Sequence, residues 1–146
     1  MKKILFSLVL LSLVFVGLGC EKVSQGYKEG TYEGSVIDEY NNENNTATAK
    51  VVVDKTGKIT SVTLDTTYNG STKKTLKDDY NMKKYNPSAA GEWYEQVEKL
   101  EKAVVEHQGI DFIKLDDEGK TDAVSGCTIK IDALYKALNA ALEKAK

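Results

Sequence analysis

The stretch Thr46–Leu64, TATAKVVVDKTGKITSVTL, decides the fold. Ala47, Ala49, Val51 and Val53 fall on one face and Thr46, Thr48 and Lys50 on the other, the period of two expected of a strand that is wet on one side. Asp54-Lys55-Thr56-Gly57 is a turn in which glycine supplies a positive φ. Lys58–Leu64 then resumes with β-branched residues at most positions, so the two strands pair as a hairpin. Upstream, Gly30–Ile37 (GTYEGSVI) is a further strand, and the polar run Asp38–Asn45 (DEYNNENN) reads as a solvated hairpin tip. Such an antiparallel meander needs a cover on its apolar face.

The cover comes from helices downstream. Past the turn-prone Tyr68-Asn69-Gly70-Ser71, a short helix is expected over Thr75–Lys84. Asn86-Pro87 gives a cap residue followed by proline, a start signal for a longer helix in which Trp93, Val97, Leu100 and Val104 recur at helical spacing. That helix is expected to end near Gln108, at Gly109. Ile110–Leu115 is a short apolar piece, strand or helical turn, and Asp116–Lys120 a polar break. The last helix, Lys130–Lys146, puts Ile131, Leu134, Tyr135, Leu138, Leu142 and Ala145 on one face, and Ala137, Ala140 and Ala141 raise its propensity. The fold class is α+β: an antiparallel meander covered by two to three helices.

With 146 residues the chain has room for one domain, and a formal net charge of -2 without any arginine excludes the basic, phosphate-tracking surface of a nucleic-acid binder. Lys2 and Lys3, the apolar run Ile4–Val16 and the small residues before Cys20 have the pattern of a secretory signal, too short for a membrane-spanning helix. Leu18-Gly19-Cys20 resembles the lipobox of bacterial lipoproteins, with Gly17 where leucine is usual. It implies a signal over residues 1–20 with lipid on Cys20, a tether over 21–29 and a domain over 30–146. An ordinary secretory signal cut nearby, or an uncleaved anchor, are the alternatives. With Cys20 lipidated, Cys127 is the remaining thiol and no internal disulfide forms. His107 continues the stripe of the long helix and lacks companions at metal-ligand spacing, so no metal site is expected.

Just before the last helix stands Asp122-Ala123-Val124-Ser125-Gly126-Cys127-Thr128. Small hydroxyl residues around a glycine at a helix start suit a phosphate, and the plain alternative is a loop in which Ser125 or Thr128 only caps the helix. DAVSGCT resembles the flavinylation motif of the FMN-binding domain family. The opening Gly-Thr-Tyr-x-Gly at Gly30–Gly34 and the segment of Tyr80, Asn81, Met82, Asn86 and Pro87 are similar to that family too. Cys127 stands where the family has alanine, and Lys130 where threonine or serine often follows.

The resemblance implies FMN joined through its phosphate to Thr128 by a separate flavin transferase, with non-covalent FMN as the alternative. It implies cofactor contacts from Asp122, Ser125, Gly126 and Cys127, a ring contact from Tyr80, and no catalytic residue. A threonine hydroxyl is a weak nucleophile at neutral pH, so the domain is a substrate of the transferase. The implied role is that of an electron carrier on the outer face of a bacterial cytoplasmic membrane, held by lipid. It would pass electrons from a quinone-linked reductase to an extracellular acceptor. The alternative from another class is a flavin-free surface lipoprotein that binds a ligand or an envelope protein with the same fold.

Overall fold

The computed structural model of the chain describes residues 26–40 and 43–146; Cys20 and the signal segment lie outside them. Four antiparallel strands, β1 (Gly30–Tyr40), β2 (Glu43–Val53), β3 (Ile59–Tyr68) and β4 (Ser71–Thr72), form a sheet in sequence order. The expected inward face is the observed one: Ala47, Ala49, Val51 and Val53 are buried, while Thr48 and Lys50 face water. At the turn, Gly57 has φ 81 and the Asp54 carboxylate accepts the Thr56 and Lys58 N–H groups. The described residues of the polar run are strand and not loop. Asp38, Glu39 and Tyr40 pair with Asn45, Asn44 and Glu43. Ladder bonding is a backbone property, and side chains too polar to bury extend a strand wherever they stay wet.

The expected helix over Thr75–Lys84 is broken into α1 (Lys73–Leu76), a 3₁₀ turn (Lys77–Tyr80) and α2 (Met82–Tyr85). Lys77 and Asn81 take left-handed φ values of 49 and 57, which stop a helix at each point. The long helix α3 (Trp93–His107) starts later than Asn86-Pro87 suggests. Glu92 and Glu95 form a reciprocal capping box, and this pair outcompetes the Asn86 cap. Its C-cap, Gln108, is left-handed with φ 55, so the helix ends as expected. Ile110–Leu115 forms a turn closed by the Ile113 N–H on the Ile110 carbonyl.

α3 also seals the far edge of β3. The Gln108 amide donates to the Ile59 carbonyl at 2.9 Å and accepts the Ile59 N–H at 2.8 Å, imitating a strand residue. Further along, the buried Glu101 carboxylate accepts the Leu64 N–H at 2.6 Å and the Lys74 ammonium at 2.5 Å. Burial pushes the Glu101 carboxyl up, while the bonds to Lys74 and Leu64 oppose that push.

The last helix, α4 (Asp132–Lys144), crosses β1 and β2. Leu134, Leu138 and Leu142 are buried on the expected face, each stabilising the fold by about 1.5–3 kcal/mol. Ala137 and Ala141, expected to raise propensity, also lie where α4 meets the backbone of β1 at Gly34. A Cβ on Gly34 would collide with the Ala137 carbonyl and lie 2.7 Å from the Ala141 nitrogen. The small residues allow α4 to rest its backbone on the strand.

Gly26–Glu29, within the expected tether, already lie against the domain. The Tyr27 N–H donates to the Gly57 carbonyl and the Lys28 N–H to the Ala145 carbonyl at 2.7 Å. The described chain therefore enters beside the β2–β3 turn and the C-terminal end of α4.

Candidate functional site

The loop that carries the DAVSGCT residues is set by one tight turn. The Cys127 N–H donates to the Val124 carbonyl at 3.1 Å, and Gly126 sits at the third turn position with φ 75, which a side chain would strain. The turn divides the loop between core and solvent. Val124 and Cys127 point inward, whereas Asp122, Ser125 and Thr128 are exposed. Burial pushes the Cys127 thiol up, against the Ile129 N–H and the Lys99 charge, so it is a packed side chain and not a thiolate.

Thr128 is held from below by α3. The buried amide oxygen of Gln96 accepts the Thr128 N–H at 2.8 Å and its hydroxyl at 3.1 Å. The Gln96 amide nitrogen donates to the Gly91 carbonyl at 2.8 Å and faces the Met82 sulfur at 3.5 Å, which fixes its orientation. One turn along the same helix, the Lys99 ammonium overhangs Gly126, 2.6 Å from where a Cβ would stand.

Gln96 has no part in the sequence expectations. Its signal was a polar residue embedded in the Trp93, Val97, Leu100 stripe, a position that a packed core fills with a polar group only when that group has partners. Replacing it by leucine leaves the Gly91 carbonyl and the Thr128 N–H unpaired. The expected result is a loss of about 1–3 kcal/mol in a denaturant titration and faster hydrogen exchange at the Thr128 amide. An unchanged exchange rate would show that Gln96 does not hold the loop.

Thr128 stands where two depressions meet. One is shallow and lies over the loop itself, lined by Asp116, Asp122, Ser125, Gly126 and Cys127. The other is a cleft of about 260 Å³, just below the roughly 300–1,000 Å³ of ligand sites, between α1, α2, the start of α3, the start of α4 and Asp38 and Tyr40 of β1. Its walls include Lys73, Tyr80, Met82, Trp93, Lys130 and the first-turn residues Asp132, Ala133 and Leu134. Among the residues read from the sequence, Tyr80 therefore shares the cleft with Thr128, whereas Asp122, Ser125, Gly126 and Cys127 line the other side.

The phosphate-compatible feature is displaced from where the sequence places it. α4 begins at Asp132 and not at the loop, and its N-cap Ile131 makes no side-chain cap, so neither Ser125 nor Thr128 caps it. The uncapped first turn faces the cleft beside Thr128, and its dipole favours an anion there. Lys130 stands next to it, shared with Asp132 at 3.5 Å.

Aromatic surface lies across the cleft. Tyr80 meets Tyr68 edge to face with ring centres 5.0 Å apart, and burial pushes its hydroxyl up to about 12, so the phenol stays protonated. The Lys73 ammonium stands 5.2 Å from the Tyr80 ring centre and 5.4 Å from that of Trp93. An aromatic, phosphate-bearing ligand matches this set: ring faces and a cation at one end, an uncapped helix start and a hydroxyl at the other.

The FMN-binding domain family matches residues 44–143, more than half of the chain. No curated protein and no solved structure matches it. The matched span holds the cleft and the DAVSGCT loop, while β1 with its Gly30–Gly34 sequence falls outside it.

Proposed function

The chain belongs to the FMN-binding domain family and is a flavin-binding protein, and we propose that it carries FMN covalently on Thr128 and works as an electron carrier. One observation supports the attachment point above the others. Thr128 is the exposed hydroxyl that both borders the aromatic cleft and lies beside the uncapped start of α4. Bound there, the flavin supplies the electron-transfer chemistry. The chain's own residues anchor and surround it: Thr128 provides the ester oxygen, the first turn of α4 with Lys130 faces the phosphate, and Tyr80, Trp93 and Met82 wall the ring side.

The attachment itself belongs to a separate flavin transferase. Gln96 accepts the Thr128 proton in a hydrogen bond, but a neutral amide does not take it up, so a base must come from the transferase. The loop is shaped for that visit, because Gly126 keeps the turn narrow and Asp122 and Ser125 stand outward beside Thr128.

The reading extends to location. Cys20 carries lipid and holds the protein on the outer face of a bacterial cytoplasmic membrane, with a quinone-linked reductase as donor. The fold suits this arrangement. The chain enters beside the C-terminal end of α4, and the cleft lies at the N-terminal end of that helix, about 20 Å away for its 13 residues. The flavin is thereby presented away from the anchored end.

The test is co-production with a flavin transferase, denaturation and peptide mass analysis. The expected result is an FMN-sized increment on the peptide that contains Thr128, with yellow absorbance that stays with unfolded protein. Flavin released on denaturation would mean non-covalent binding. A colourless protein would favour the flavin-free surface lipoprotein instead.

A further inference from the structure

Lys73 and Lys74 are neighbours with opposite circumstances. Lys74 is paired with Glu101, which also ties it to the edge of β3. The Lys73 ammonium lines the cleft, partly buried, and among the described residues it has no carboxylate within 4.0 Å and donates no hydrogen bond. The charges nearest it in effect are Asp38 and Asp65, and they do not offset its burial, which holds the ammonium below its usual range. Cation–π contact with Tyr80 and Trp93 keeps it in place. Asp38 lines the same cleft without forming an ion pair with Lys73, so a half-buried cation held by rings and without a paired carboxylate is arranged for a ligand that brings negative charge to that end of the cleft.

We propose that Lys73 is the residue that faces the flavin ring in the cleft and stabilises its reduced, negatively charged form, thereby setting the reduction potential. This rests on the reading that Thr128 carries FMN. On reduction the neutral ring accepts two electrons from a reductant and one proton from water, and so gains one negative charge beside the Lys73 ammonium. The phosphate stays at the α4 end, bonded to Thr128, so the two charges of the ligand meet two separate positive features of the chain. Lys73 acts as a tuning residue: it neither gives nor takes the electrons.

The experiment is a redox titration of the full-length, flavin-loaded protein with dithionite and mediator dyes, comparing the wild type with Lys73→Gln and Lys73→Arg, each first checked by mass for the adduct on Thr128. Lys73→Gln is expected to lower the ratio of reduced to oxidised flavin at a fixed potential at least tenfold, which is about 30 mV for a two-electron couple. Lys73→Arg keeps the charge and should stay within about threefold of the wild type. A loaded Lys73→Gln protein within threefold of the wild type overturns the inference and leaves Thr128 attachment standing. A wild type without flavin overturns both. If Lys73→Gln loads no flavin, whether or not Lys73→Arg loads, Lys73 serves folding, attachment or transferase docking and the inference fails.

Discussion

Gly34→Ala should destabilise the protein by about 3 kcal/mol or more, an effect near the top of the range for one added methyl. The reason is backbone against backbone. The new Cβ would point from the centre of β1 into α4, into collision with the Ala137 carbonyl oxygen and 2.7 Å from the Ala141 nitrogen. A flexible side chain could swing aside, but main-chain atoms of a helix can yield only if the helix moves. α4 cannot move freely, since Leu134, Leu138 and Leu142 are locked in the core behind the contact. In a domain whose total stability is roughly 5–15 kcal/mol, that is a large fraction. It should appear as a fall of about 10 °C or more in the thermal midpoint followed by circular dichroism. Ser35→Ala, one residue along and exposed on the opposite face, is the control, with a change within about 0.5 kcal/mol. A Gly34→Ala midpoint as close to the wild type as that control would refute the close approach of α4 to the strand.

The contrast between Gly34 and its hairpin neighbours marks what could be read from the sequence. The alternation of Thr46–Val53 survives intact in the structure because each inward residue is chosen by one local rule, the pleat of a half-buried strand. α4 is legible for the same reason, its leucines repeating at 3.6 residues. The Gly34 contact joins β1 to a helix about a hundred residues later, and nothing local in GTYEG or in the alanines of α4 announces their meeting. Similarly, the break at Lys77 and Asn81 is set by left-handed residues that propensity does not foresee. The site divides along the same line. Thr128 is singled out in the sequence by a contiguous motif, a local signal. Gln96 and Lys99 come from α3 and Lys73 from α1, each distant in sequence from Thr128, and only packing brings them to the loop and cleft.

Thr128→Val should abolish covalent flavin while leaving the fold almost unchanged, and that separation is what gives the substitution its value. Valine matches threonine in shape and β-branching, so the side chain can keep its rotamer. Its backbone N–H still donates to the Gln96 amide oxygen, the stronger of the two bonds at 2.8 Å. What is lost is the hydroxyl bond at 3.1 Å, a cost of about 0.5–1.5 kcal/mol, and the oxygen itself. The proposed attachment would need that oxygen: it would form a bond to the FMN phosphorus of FAD as the bond to AMP broke, with the hydroxyl proton passing to the transferase. Thr128→Ser retains the oxygen but loses the methyl that restrains its rotation, so a reduced extent of labelling is expected. Mass analysis after denaturation checks all three proteins. Flavin that remains bonded to the valine variant would place the adduct on another side chain. Colour lost from it only on unfolding would show that the cleft of Tyr80, Trp93 and Lys73 holds FMN without the ester.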